Sequence, residues 1–348
     1  MLSLTRASSI FRERALDIRV SATGEALAAD AAPAAHGPSA LQEAETLTAL
    51  GRVYYHTAEL GKARKSTERA LELYRATAGE GTRPVIENTI HLSRVLREMG
   101  DFDGAERVAR DLLQVVRPGP MLAAAQQVHG DALFRLGRLK EAQDAYRDAL
   151  AMRHSTSAGP VHLAACHKHL GIISAELGDL KTAEHELRSA RALLVHDYDE
   201  NNLDVIDVDN HLADILRRTG RPEEACELLV RVIHVREELV GPRPDLAGSL
   251  TRYGAALAAL GNRTAAIDAL QRAQAMFADR MGADHPYVAE AGVVLATVMR
   301  DAGEPSTALD RAGHALSIYT AAYGAEHRVT RQTRALRDAL QTTIDRQA

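Results

Sequence analysis

Two histidines and an aspartate stand at spacings that suit acid–base chemistry. His169 and His211 are 42 residues apart, and Asp214 follows His211 by three, one helical turn further along the same face. A carboxylate so placed can orient an imidazole that moves a proton, or the three can hold a metal weakly. The competing role for each histidine is a hydrogen bond between packed helices. His91 belongs to the same series, but equivalent residues on successive helix pairs are roughly 10 Å apart, too far for non-adjacent pairs to share one zinc. His167 and His169 lie two apart and point different ways, so Cys166-His167-Lys168-His169 is no metal motif. The chain has no HExxH, GxSxG or paired CxxC. Leu60-Gly61-Lys62 lacks both the earlier glycine and the strand of a phosphate loop. No metal and no cofactor are expected.

The spacing of 42 is a property of the whole chain. Ala63, Ala105, Ala142, Ala183, Ala225, Ala266 and Ala308 recur at 42, 37, 41, 42, 41 and 42 residues. Twelve residues before each stands another mostly small side chain: Gly51, Ser93, Gly130, Gly171, Ala213, Gly254 and Ala296. Between the two columns comes a turn position, Ala58, Gly100, Gly137, Gly178, Gly220, Gly261 and Gly303, where glycine takes the positive φ that ends a helix. Seven residues beyond each alanine the chain reads Ala70, Leu112, Ala149, Ala190, Val232, Ala273 and Ala315, on the same face two turns further on. Each unit is therefore helix, tight turn, helix. Pro84, Pro120, Pro160, Pro244 and Pro286 precede the first small column by about ten residues, where a fixed φ and a missing N–H suit a helix start. The fifth unit enters instead through the acidic stretch from Asp197 to Asp204. Asn202 and Val208 stand where a calcium loop wants glycine and glutamate, so a connector with an Asp or Asn cap is expected there.

These columns resemble the tetratricopeptide repeat, and the long period resembles its kinesin light chain subgroup. The loops Gly282-Ala-Asp-His285-Pro286 and Gly324-Ala-Glu-His327, with Asn210-His211-Leu212-Ala213, carry the second likeness. The resemblance implies an all-α, right-handed superhelical solenoid of seven helix-turn-helix units over residues 41–329. Residues 1–40 are expected to hold an N-terminal half-unit, Ile10 to Val20, and an Ala/Pro-rich linker; residues 330–348 form a C-terminal capping helix through Leu336, Leu340 and Ile344. The solenoid thus starts mid-unit, which leaves room for a helix of another chain, a homodimer through the solenoid ends, or an N-terminal effector domain.

In the resembled family the first helix of each unit lines the concave surface. Carried over residue by residue, the first unit contributes Arg52 and Tyr55, the second Arg94 and Arg97, and the third Asp131 and Phe134. The arginines make a basic end able to grip carboxylates. The fourth unit adds Lys168 and Glu176. The fifth is the most polar, with Asp207, Asn210, Asp214, Arg217 and Arg218 on one helix. The sixth is nearly bare, showing Gly248, Thr251, Ala255, Ala258 and Ala259. A hollow beside a polar cluster is what a pocket needs, so a ligand site is expected over units four to six. Asn210 has the residue type that holds a bound peptide backbone in related proteins, although its counterparts in the other units are not asparagine.

A net charge of -5 and a pI near 6.3, without a basic run or finger, give no support to nucleic-acid binding. No run reaches the ~18 apolar residues of a membrane span, and Cys166 and Cys226 fall inside helices, so a cytoplasmic protein with reduced thiols is expected. Abundant alanine and arginine with only five lysines suggest a bacterial source. The leading reading is a scaffold that binds a peptide or protein segment in its groove. The rivals are a regulator that senses a peptide or small molecule, and an enzyme working through His169, His211 and Asp214.

Overall fold

The structure is a computed structural model describing residues 38–57, 59–239, 241 and 243–347. The half-unit and most of the linker expected before residue 38, and the turn position Ala58, lie outside the described residues. Within them the chain is helical throughout, each stretch of apolar periodicity ending at its glycine. The helices are α1 (Pro38–His56), α2 (Leu60–Ala78), α3 (Arg83–Glu98), α4 (Phe102–Leu113), α5 (Pro120–Arg135), α6 (Leu139–Ser155), α7 (Pro160–Glu176), α8 (Leu180–Val195), α9 (Leu203–Arg218), α10 (Pro222–Leu239), α11 (Pro244–Ala259), α12 (Arg263–Met281), α13 (Pro286–Asp301), α14 (Pro305–Tyr323) and α15 (Arg328–Gln347).

Seven antiparallel pairs, α1/α2 to α13/α14, follow the sequence columns. Gly100, Gly137, Gly178, Gly220, Gly261 and Gly303 each take φ between 75° and 87°, a region L side chains rarely adopt. The five expected prolines occupy the first or second position of α3, α5, α7, α11 and α13. The seven alanines on the second helices have no exposed surface at all. Facing them, a Cβ on Gly171 would lie 2.7 Å from Leu187 Cγ, and one on Gly254 2.6 Å from Leu270 Cγ. Small residues are thus required where two helices of a pair cross. The acidic entry to the fifth unit is a capped connector: Asn202 accepts from the Asp204 N–H at 2.9 Å and Asp199 from that of Asn201 at 2.7 Å.

The chain divides into two compact units, residues 1–156 and 157–348. In the first, cores run along α1–α4 (Leu71, Tyr74, Leu92, Leu96) and α3–α5 (Ile86, Ile90, Leu112, Val128). In the second, the largest core joins α7–α11 through Leu187, Leu194, Leu212, Leu216 and Leu229. A further core carries Leu270, Leu295 and Leu340, so α15 covers the end of the last pair. The boundary falls between the third and fourth helix pairs, where the repeat phase continues without interruption. Cys166 is buried and Cys226 half-buried, both as free thiols. Among the described residues no helix is long and apolar enough to cross a membrane.

Candidate functional site: the polar seam of α7, α9 and α11

The first helices of successive pairs lie side by side, and their facing side chains form the candidate site in each unit. In the second unit, Lys168 on α7 reaches Asp207 on α9 with Nζ 2.7 Å from Oδ2. The other oxygen of Asp207 accepts from Arg236 Nη2 at 3.1 Å. Arg236 comes from α10, a second helix; its guanidinium is buried and also donates to the Asp245 carbonyl at 2.7 Å and to Ser249 Oγ at 2.5 Å. Burial pushes the Asp207 carboxyl up, but the Lys168 and Arg236 charges outweigh it and hold the group well below the usual carboxylate range. The ion chain therefore ties α7, α9, α10 and α11 together.

Two turns along α9 from Asp207, Asp214 pairs with Arg217 at 2.8 Å and with Arg218 at 3.7 Å. Arg218 in turn donates to the Ala175 carbonyl at the end of α7, at 2.8 Å. Between these groups sits His211, whose Nδ1 faces Arg252 Nη2 at 3.5 Å. Burial first, and then the Arg252 charge, lower the imidazole pKa to about 3, so it is neutral across the physiological range. No hydrogen bond joins His211 to Asp214. The carboxylate belongs to the two arginines, and the imidazole meets a cation where a general base needs an acid to orient it. His169, His211 and Asp214 thus share a seam but form no proton relay between the last two. Among the described residues, no group of three or more His, Cys, Asp or Glu is placed to hold a metal ion.

Two groups of the seam are left over. Asn210 is 3% exposed, and its Oδ1 is buried without a hydrogen-bond partner. Arg252 hydrogen-bonds only the Gly248 carbonyl, at 3.4 Å, and the neutral His211; no carboxylate lies within ion-pair distance of it among the described residues, although its charge helps to lower the Asp214 pKa. Lys168 and Arg236 share the carboxylate of Asp207, and Arg217 and Arg218 that of Asp214. The near-bare reading of the sixth unit needs correction here. Gly248 and Ala255 are small as expected, and the Thr251 hydroxyl is spent on the Ala247 carbonyl at 3.0 Å. Arg252, however, stands 41 residues after His211 in the column of His169 and His211, and that recurrence was the signal for it. Arg236 gave none, since it lies on a second helix and reaches the seam only through packing.

The first unit handles similar residues differently. Arg97 pairs with Asp131 and, at 3.0 Å, with Glu98. Asp131 also accepts the Tyr146 hydroxyl. Burial works against the Arg97 charge, yet Asp131 and Glu98 raise its pKa well above the usual value. Arg52 lies 3.7 Å from Glu87. Tyr55 stands edge-on to His91 with ring centroids 5.4 Å apart, and burial followed by Glu98 raises its phenol. Burial also lowers the His91 pKa. Arg94 is exposed and Phe134 half-buried. The basic end is present, but Arg97 and Arg52 already have their carboxylates.

Comparison with known proteins agrees with the helix-pair geometry. A tetratricopeptide repeat model matches residues 204–279 and 245–321, and a tetratricopeptide repeat-like domain model matches residues 21–164. The chain belongs to the tetratricopeptide repeat family. Its repeats are of the kinesin light chain type. The kinesin light chain-related protein 2 of Arabidopsis thaliana is 24% identical over 231 residues, 62% of this chain and 35% of that protein. This tetratricopeptide repeat protein spans about a third of the length of the curated relatives it matches. Among solved structures, BtubC of P. vanneervenii has a TM-score of 0.53 at 22% identity, covering 64% of this chain and 92% of its own. The Rap conjugation gene regulator of plasmid pLS20, in complex with the Phr* peptide, has a TM-score of 0.64 at 16% identity, covering 86% and 84%. A Rap protein complexed with competence and sporulation factor scores 0.63 at 11%, covering 88% and 89%. At these identities the likeness is one of fold.

Proposed function

We propose that the protein holds an extended peptide or protein segment along the seam of α7, α9 and α11. The observation that carries this reading is the pair of leftover groups. Asn210 keeps a buried amide oxygen without a partner, and an unmade hydrogen bond of that kind costs roughly 1–3 kcal/mol. A peptide N–H supplies what the amide lacks. Arg252, without a carboxylate of its own, offers a charge-assisted hydrogen bond to an acidic group on the same segment. The Lys168–Asp207–Arg236 chain keeps the helices in register, so the half-buried Arg252 and the buried Asn210 amide are held in a preformed arrangement. Two Rap proteins of similar fold are in complex with the Phr* peptide and with competence and sporulation factor, which favours a segment over a small molecule.

Panning a random peptide library on the immobilised full chain tests the reading. Asn210→Ala and Arg252→Gln should each weaken capture of the enriched peptides, Arg252→Gln by roughly 10- to 100-fold, with the circular dichroism spectrum unchanged. Enriched peptides that bind both variants as well as the parent would refute it.

A further inference from the structure

The seam has a closure. Arg328, at the start of α15, pairs with Glu176, the last residue of α7, across 152 residues of chain. Seven helices, α8 to α14, lie between them, so the second unit curves until its last helix meets its first. Nothing apolar backs it. Among the described residues, one core cluster holds α7 with α8–α11, others hold α15 with α11–α14, and none contains both α7 and α15. The two side chains are 28% and 44% exposed, and such a pair is readily screened by salt. It therefore biases the closed arrangement without locking it.

We propose that the Glu176–Arg328 pair is a reversible strap across the inner face of the second unit, which holds α15 to α7 at rest and releases to admit a segment to the seam. That a segment enters rests on the reading above; that the strap opens and closes does not. An exposed pair shifts a closed-to-open ratio by at most about fivefold. The pair therefore tunes the closed-to-open ratio within that factor, as a gate that loads and releases a ligand requires.

Single-molecule energy transfer on the full chain tests the strap without a ligand. Dyes are placed at Leu177→Cys and Glu326→Cys, both exposed positions beside the pair. Cys166 is buried and burial raises the Cys226 thiol, so the added thiols label first. Glu176→Gln should raise the low-transfer population relative to the high-transfer one by up to roughly fivefold. High salt should do the same to the parent and little more to the variant. Glu176→Arg combined with Arg328→Glu should restore the parent distribution. Coincident distributions for parent and Glu176→Gln would overturn the strap, as would a charge swap that folds but does not restore closure. A strap that passes while no peptide is captured would leave this inference standing and remove the peptide reading.

Discussion

The two units use one packing scheme and similar charged residues, and both leave buried polar atoms without a hydrogen-bond partner, His91 Nε2 on α3 and Gln126 Oε1 on α5 in the first and Asn210 Oδ1 on α9 in the second; they differ in whether the half-buried cations of the first helices have carboxylates. On α1, α3 and α5, Arg52 and Arg97 have carboxylates within the fold, and Asp131 serves both Arg97 and Tyr146. On α7, α9 and α11, Lys168, Arg217 and Arg218 likewise have carboxylates within the fold, whereas the half-buried Arg252 has none within ion-pair distance and Asn210 keeps an unpartnered oxygen. A charge with its partner inside the fold contributes to the scaffold. One without a partner carries a desolvation cost that a ligand can relieve. The proposed binding therefore rests on groups left without a partner along a seam, not on the mere presence of arginine.

The scheme common to both units gives the largest expected effect. Ala183→Arg forces a long charged side chain into a site with no exposed surface and should cost about 4 kcal/mol or more, read as lost cooperativity in urea unfolding. Asp207→Ala comes next. It strands Lys168 and the buried Arg236 guanidinium, and should lower the unfolding free energy by about 3 kcal/mol. A loss under ~1 kcal/mol would mean that the ion chain does not hold the second unit together.

Third is the pH response. His211 has a folded pKa of about 3 against an ordinary 6.5, so below pH 6.5 the unfolded chain binds the extra proton. Stability should be fully present above that value and fall with pH by up to ~1.4 kcal/mol per unit, about 2 kcal/mol at pH 5. Asp207 titrates only below the usual carboxylate range and lies outside this window. His211→Gln should flatten most of the slope, the remainder belonging to His91, whose pKa burial also lowers. Equal slopes for parent and variant would sink this account. The smallest effect is expected at Arg52→Gln, whose ion pair is long and half-exposed; unfolding should move by less than ~0.5 kcal/mol.

Much of the scaffold was legible because its rules are local. Glycine ends six of the seven first helices where φ must be positive, alanine marks each crossing where a larger side chain would collide, and proline opens α3, α5, α7, α11 and α13. The site was legible only in part. Lys168, Asp207, Asn210 and Asp214 could be placed on one face from their spacing. Which of them would be satisfied by neighbours could not, because that depends on Arg236 from the outer helix and Arg252 from the next pair. The proton relay suggested by His211 and Asp214 had the right spacing, yet Arg217 and Arg218 lie as close along the same helix and carry the stronger claim on the carboxylate.

The division between the two kinds of information has a physical basis. By itself the sequence determined the helix pairs, their turns and the small-residue crossings, since these follow from steric limits acting over a few residues and repeated seven times. Tertiary structure alone decided which charges cancel, how deeply His211 is desolvated, and that α15 returns to α7 across 152 residues. Coulomb and hydration energies depend on distance and burial in space, and residues far apart along the chain set both.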